Sequence, residues 1–183
     1  MSNRKPAGWQ GRHELPPKTA IEVFEMLPEG TRAEVINNIL FMSPAPNTEH
    51  QRLLSRLHTL INIHVMENDL GECFFAPVDV YLGNNNAVQP DIVFITRNNK
   101  DIIKEKKVEG APDLIVEALS GNKKHDLQVK KALYEASGVR EYFIIDPANK
   151  EVVTYYHNGS KFVLQKSKHG QIKSKVLGKT VTF

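Results

Sequence analysis

Pro112-Asp113-Leu114-Ile115-Val116-Glu117-Ala118-Leu119 is an apolar run with a carboxylate, Glu117, set inside it. Apolar residues on both parities read as a central β-strand covered on both faces. An ionised Glu in such a strand is costly unless a cation meets it. That cation could be a lysine, an arginine or a metal. Upstream, Ile92-Val93-Phe94-Ile95 forms a second apolar strand beginning at Asp91. Downstream, a helix turns Lys130 toward the core. Two acids and a lysine converging on one sheet point to a metal-dependent phosphodiesterase site.

The orientation of Lys130 follows from helical geometry. At about 100° per residue, Leu127, Leu133 and Tyr134 all fall within roughly 60° of Lys130, whereas Lys131 lies about 100° away toward solvent. Tyr134 stands four residues after Lys130, so its ring can cover the lysine stem. An inward lysine needs an anion, and Glu117 is the expected one. A buried Lys130–Glu117 ion pair without chemistry uses the same two residues. Such pairs stabilise poorly relative to apolar replacements, and that reading leaves Asp91 unexplained.

Around this centre the pattern alternates between the two element types. A short helical pattern (Ile21, Phe24, Leu27) ends at Pro28, and two short strands flank Asn37-Asn38, a pair able to take positive φ in a tight hairpin. A long amphipathic helix is expected over about 47–68. Two strands follow, over about 72–82 and 88–96, joined by Gly83-Asn84-Asn85-Asn86. A charged connector, 97–111, precedes the Glu117 strand. Asp126 is a reasonable N-cap for a helix closed by Gly138. The strand Glu141–Ile145, a hairpin about Asn158-Gly159 and a β-prone tail complete the chain. The order is mixed α and β (α+β), with a mixed sheet flanked by helices and with N-terminal and C-terminal β-hairpins.

Composition is compatible with this reading. The chain has 183 residues, 40% hydrophobic and 25% charged, and carries a net charge of +3. This predicts a flexible segment over 1–17 and one domain over 18–183. The charge permits a nucleic-acid partner without requiring one. The single cysteine, Cys73, excludes an intramolecular disulfide and a Cys-rich zinc site. The seven histidines show no metal-ligand spacing. With no membrane-length apolar stretch and no signal-peptide core, a soluble cytoplasmic protein is expected.

Five segments carry a resemblance. Pro77-Val78-Asp79-Val80, Gln89-Pro90-Asp91-Ile92-Val93-Phe94, Pro112 to Glu117, Lys130-Lys131-Ala132-Leu133-Tyr134 and Gly138 to Pro147 resemble, in order and spacing, the Uma-two family. These are endonucleases of the PD-(D/E)XK restriction-endonuclease-like superfamily, abundant in cyanobacteria and other bacteria. The resemblance runs from about Glu34 to Tyr156. It implies a restriction-endonuclease-like core and a site built from Asp91, Glu117 and Lys130. The lysine is displaced onto the following helix; the usual superfamily position, two residues after the acid, holds Leu119. Asn38 stands where the family usually has Gly.

The expected activity is hydrolysis of DNA phosphodiesters by a Mg²⁺- or Mn²⁺-dependent endonuclease. Both ions prefer oxygen ligands and keep several waters. Asp91 and Glu117 are the expected metal ligands, with the Ala118 backbone carbonyl as a third. Lys130 would orient the attacking water or stabilise the phosphorus centre. Secondary candidates are Glu49 and His50 at the start of the long helix, Glu34 in the hairpin, Asp79, Gln89 and Tyr134. Glu49 has a competing role in favouring the helix dipole, and Asp113 reads as a strand-end residue about 13 Å from Glu117. Lys123 and Lys124 are candidates for contacts to the phosphate backbone. A nucleic-acid-binding protein with weak or lost catalysis is the alternative on the same fold, and a homodimer is expected by analogy with nucleases that cut two strands.

Overall fold

The structure, a computed structural model, describes residues 16–119, 125–166 and 168–183, of which 125–127 are described by their backbone. Helix α1 (Ala20–Glu25) opens with a capping box in which Thr19 accepts from the Glu22 amide and the Glu22 carboxylate accepts from the Thr19 amide. Strands β1 (Ala33–Ile36) and β2 (Ile39–Met42) form the expected hairpin. Asn37 and Asn38 both take positive φ, 51° and 60°, the requirement of its two-residue turn. Asn38 also ties the hairpin to α1, its Oδ1 accepting from the Ala20 amide at 2.7 Å.

Helix α2 (Thr48–Glu67) starts at Asn47, whose Oδ1 accepts from the His50 amide at 2.9 Å. Strands β3 (Gly71–Phe75), β4 (Val80–Tyr81), β5 (Ala87–Val88) and β6 (Ile92–Thr96) follow. Here the structure corrects the sequence reading. The two long strands expected over 72–82 and 88–96 are each cut in two, and the halves belong to different sheets. The breaks fall at Pro77, after a cis peptide bond, and at Pro90. Proline has no N–H for the ladder, so the chain leaves one sheet there and enters the other.

A 3₁₀ turn (Arg97–Ile102) and β7 (Val108–Glu109) occupy the charged connector, and β8 (Leu114–Ala118) is the Glu117 strand. The helix after it begins as a π-helical turn (His125–Lys130) and continues as α3 (Lys131–Ser137). Gly138 ends it in the left-handed conformation, φ 84°. Strands β9 (Glu141–Ile145), β10 (Val152–His157) and β11 (Phe162–Gln165), then the hairpin of β12 (Gln171–Ser174) and β13 (Lys179–Thr182), complete the chain.

The larger sheet runs β11-β10-β9-β8-β6-β3, and the smaller β2-β1-β5-β4-β7. The larger one is mixed: β8 and β9 pair in parallel, and its other pairs are antiparallel. Its central strands bury both faces, as the apolar run requires. One parity of β6 and β8 (Ile92, Phe94, Leu114, Val116) packs with Leu57 and Ile61 of α2. The other parity (Val93, Ile95, Ile115) packs with Leu133 and Tyr134 of α3 and with Ile36, Val80 and Val88 of the smaller sheet. Glu117 shares the parity of Ile115. It therefore belongs to the layer between the two sheets. No described helix is long and apolar enough to cross a membrane.

Candidate active site

Strands β6 and β8 pair with Ile92 opposite Val116 and Val93 opposite Ile115. Continuing this register by one step sets Asp91 opposite Glu117. Directly opposed residues project to one side of a sheet, so two carboxylates from separate stretches of the chain become neighbours. Both are buried, at 6% and 3% exposure. Asp91 Oδ2 accepts from the Ala118 amide at 2.8 Å and lies 3.3 Å from His50 Nε2. The same register places Ala118 opposite Pro90, which has no N–H to give the Ala118 carbonyl.

Lys130 reaches this layer from the last residue of the π-helical turn. Its Nζ lies 3.0 Å from Glu117 Oε1 and 2.9 Å from Glu34 Oε1, with Lys130 only 5% exposed. The inward orientation expected from helical geometry is the observed one. Tyr134 does more than cover the lysine stem: its hydroxyl donates to Glu117 Oε1 at 2.7 Å. Burial, then the carboxylates of Glu117 and Glu34, push this phenol well above its usual pKa of 10. It stays a donor over the physiological range.

Glu34 enters from the smaller sheet and is buried at 4% exposure. Besides meeting Lys130, its Oε1 accepts from the Gln89 amide at 2.9 Å. The Gln89 side chain donates to Asp79 Oδ1 at 2.8 Å and to the Thr31 carbonyl at 3.1 Å. Gln89 and Asp79 thus form a scaffold behind Glu34. His50 stands beside Asp91, and its Nδ1 is buried with no hydrogen-bond partner among the described residues. Glu49, one residue earlier, is exposed and does not line the cleft over these groups. Asp113 is engaged elsewhere, by the Thr96 amide at 2.8 Å and by Arg140 at 3.0 Å. Lys123 and Lys124 lie outside the described residues.

Asp91, Glu117, Glu34, Lys130 and His50 line one cleft of about 540 Å³. A wall of Phe41, Met42, Pro44 and Pro46 borders it. Among the described residues, no three His, Cys, Asp or Glu side chains are grouped so as to hold a metal ion. The available donor set is instead two opposed carboxylates with a carbonyl next to them. That set suits a hard cation that keeps waters or takes ligands from a phosphate.

Arg32, which also lines the cleft, is not singled out by the sequence. Nor does the sequence give Glu34 more than a minor place. Each needs the meeting of two sheets, and no local periodicity encodes that meeting. The one local signal is that Arg32 and Glu34 are charged residues leading into and within a strand whose four residues are all buried.

A mixed sheet carrying opposed acids and an inward lysine in a cleft defines a protein of nuclease-like fold. The family model described as "Putative restriction endonuclease", Uma2, matches residues 15–177. The chain belongs to that family. Among solved structures, it is similar to that of "a putative nuclease belonging to DUF820" from Anabaena variabilis ATCC 29413. The TM-score is 0.73 at 17% identity, over 91% of this chain and 95% of the other. At that identity the likeness bears on the fold. No curated protein matches the chain significantly.

Proposed function

We propose that this protein is a metal-dependent endonuclease that hydrolyses phosphodiester bonds in DNA. The carrying observation is the opposition of Asp91 and Glu117 across β6 and β8, both buried in the cleft that Lys130 lines. Family membership supports the reaction class, and the word "restriction" in the family's description supports DNA as the substrate.

In this reading Asp91 and Glu117 hold Mg²⁺ or Mn²⁺ together with the Ala118 carbonyl. When bound, the ion supplies a more acidic water and positive charge beside the phosphoryl oxygens. Glu117 has a second role, fixing the Lys130 ammonium through Oε1. The ammonium can then donate to the attacking water or to a phosphoryl oxygen. Glu34 holds the ammonium from the other side. Tyr134 donates to the same Glu117 oxygen, which limits rotation of that carboxylate. Asp91 is steadied by the Ala118 amide. Lys123 and Lys124 belong to this proposal as backbone contacts. A homodimer and a cytoplasmic location complete it, the dimer by analogy alone.

The test is cleavage of supercoiled plasmid and labelled duplex in Mg²⁺, in Mn²⁺ and in EDTA. Wild type is expected to cut with either metal and to stop in EDTA. Asp91→Asn, Glu117→Gln and Lys130→Met are each expected to lose at least about a hundredfold in rate. A folded wild type that binds DNA without cutting it supports the binding-protein alternative. One that neither binds nor cuts leaves the acids and lysine as an ion-pair network. Sedimentation as a monomer at assay concentration would remove the dimer.

A further inference from the structure

Arg32 is a cleft-lining cation that meets no anion among the described residues. Its Nε is buried and has no hydrogen-bond partner there, and no side-chain ion pair with a described residue engages its guanidinium. Backbone pairing holds the residue in place. The Arg32 carbonyl accepts from the Ser43 amide at 2.9 Å, which extends the β1–β2 ladder one step beyond Ala33 and Met42. Glu34 stands two residues further along, so both side chains leave the same side of the strand, about 6.6 Å apart along it. Glu34 meets Lys130. Arg32 therefore stands beside the Lys130–Glu34 pair, on the side where β1 enters the sheet.

Among the described residues, three carboxylates line the same cleft, and each is engaged by something other than Arg32. Lys130 bridges Glu34 and Glu117, while Asp91 meets the Ala118 amide and His50. Arg32 forms an ion pair with none of them. A guanidinium is always charged and carries five donors in a planar fork that matches two oxygens of a phosphate. Part-buried and paired with none of the cleft's carboxylates among the described residues, it is complementary to an anion arriving from solvent.

We propose that Arg32 anchors the substrate, its guanidinium binding the non-bridging oxygens of one backbone phosphate of the DNA strand that lies across Asp91 and Glu117. This rests on the nuclease reading and adds to it the group that holds the strand. The division of labour is chemical. Lys130 is fixed between two protein carboxylates and serves the reacting phosphate. Arg32 keeps its two Nη groups unengaged by the described residues and outside the buried set, and they set where the strand lies.

The experiment is fluorescence-anisotropy titration of a labelled DNA duplex in Ca²⁺ over a series of salt concentrations, with cleavage in Mg²⁺ measured alongside. Arg32→Met is expected to bind roughly ten- to a hundredfold more weakly. Its slope of log affinity against log salt should fall by about one, the signature of one lost phosphate contact. Arg32→Lys should keep the slope and lose part of the affinity, since it retains the charge but not the fork. Thermal melting checks the fold, and Arg32→Gln carries the same expectation as the Met variant should that one not fold. Wild-type affinity and slope in the folded neutral variants, with wild type cutting DNA, overturn the anchor and leave the nuclease intact. A folded wild type that neither binds nor cuts overturns the nuclease reading, and the anchor falls with it.

Discussion

Glu117 keeps its place in an apolar strand because two donors meet one of its oxygens: the Lys130 ammonium at 3.0 Å and the Tyr134 hydroxyl at 2.7 Å. A hydrogen bond to a charged acceptor contributes about 1.5–3 kcal/mol, so Tyr134→Phe should lower stability by about that amount near pH 8. The phenol makes the loss depend on pH. Its folded pKa is raised well above 10, chiefly by burial and next by the Glu117 and Glu34 carboxylates. Only the unfolded chain then ionises as pH passes 10. The stability linked to Tyr134 is fully present below pH 10 and is lost as pH climbs from there toward the folded value. Above pH 10 the wild type should therefore lose about 1.4 kcal/mol per pH unit that the Phe variant does not. The other groups raised in the alkaline range, Cys73 and Tyr81, each to about 12, and Tyr156, titrate alike in both proteins and cancel in the difference. Urea denaturation of the pair at pH 8 and pH 11 measures it. A gap of constant size across that range would show that Tyr134 ionises in the folded protein as readily as in the unfolded one.

At the scale of elements, β3 depends on a residue with no side chain. Gly71 has φ 147°, and a Cβ there would sit 2.1 Å from the Ile95 carbonyl oxygen and 2.9 Å from the Arg97 nitrogen. Both neighbours are backbone, so neither can swing aside. Gly71→Ala should destabilise by about 3 kcal/mol or more, a fall in melting temperature of roughly 6–12 °C for a chain of this size. Melting like wild type would mean that β3 can shift away from β6 without penalty. The sequence reveals most elements and hides how they are shared between sheets. The hairpin is legible because Asn37-Asn38 suits positive φ at both turn positions. The inward face of the helix carrying Lys130 is legible because Leu133 and Tyr134 fix its angle. The splitting of two strands at Pro77 and Pro90 is harder to see, although both prolines are plain in the chain. Gly83 to Asn86 is the stronger turn signal, and apolar residues continue on either side of each proline. Asp91 and Glu117 can be paired from two apolar runs alone. Glu34 and Arg32 cannot, because their place depends on how β1 meets a different sheet.

Over the whole molecule, the cleft is where separate parts converge. The larger sheet brings Asp91 and Glu117, the smaller brings Glu34 and Arg32, α2 brings His50, and the helix after β8 brings Lys130. None of these parts could assemble the group by itself, so a ligand of the assembled group binds the folded chain and not the unfolded one. Such a ligand stabilises by mass action, about 2.7 kcal/mol at a concentration one hundred times its dissociation constant. For the proposed carboxylate site, Mn²⁺ should therefore raise the melting temperature by roughly 5–10 °C at that saturation, and EDTA should reverse the shift. Asp91→Asn is the informative variant because its side-chain oxygen can still accept from the Ala118 amide. The fold should persist while the charge needed for the metal is lost, leaving little or no Mn²⁺ shift. An equal shift in both proteins would place the metal away from Asp91. No shift in wild type up to millimolar Mn²⁺ would leave His50 and the Ala118 amide as the partners Asp91 has. The ion-pair network would then be sufficient without a metal, unless DNA added at the same metal concentration restores the shift in wild type and not in Asp91→Asn.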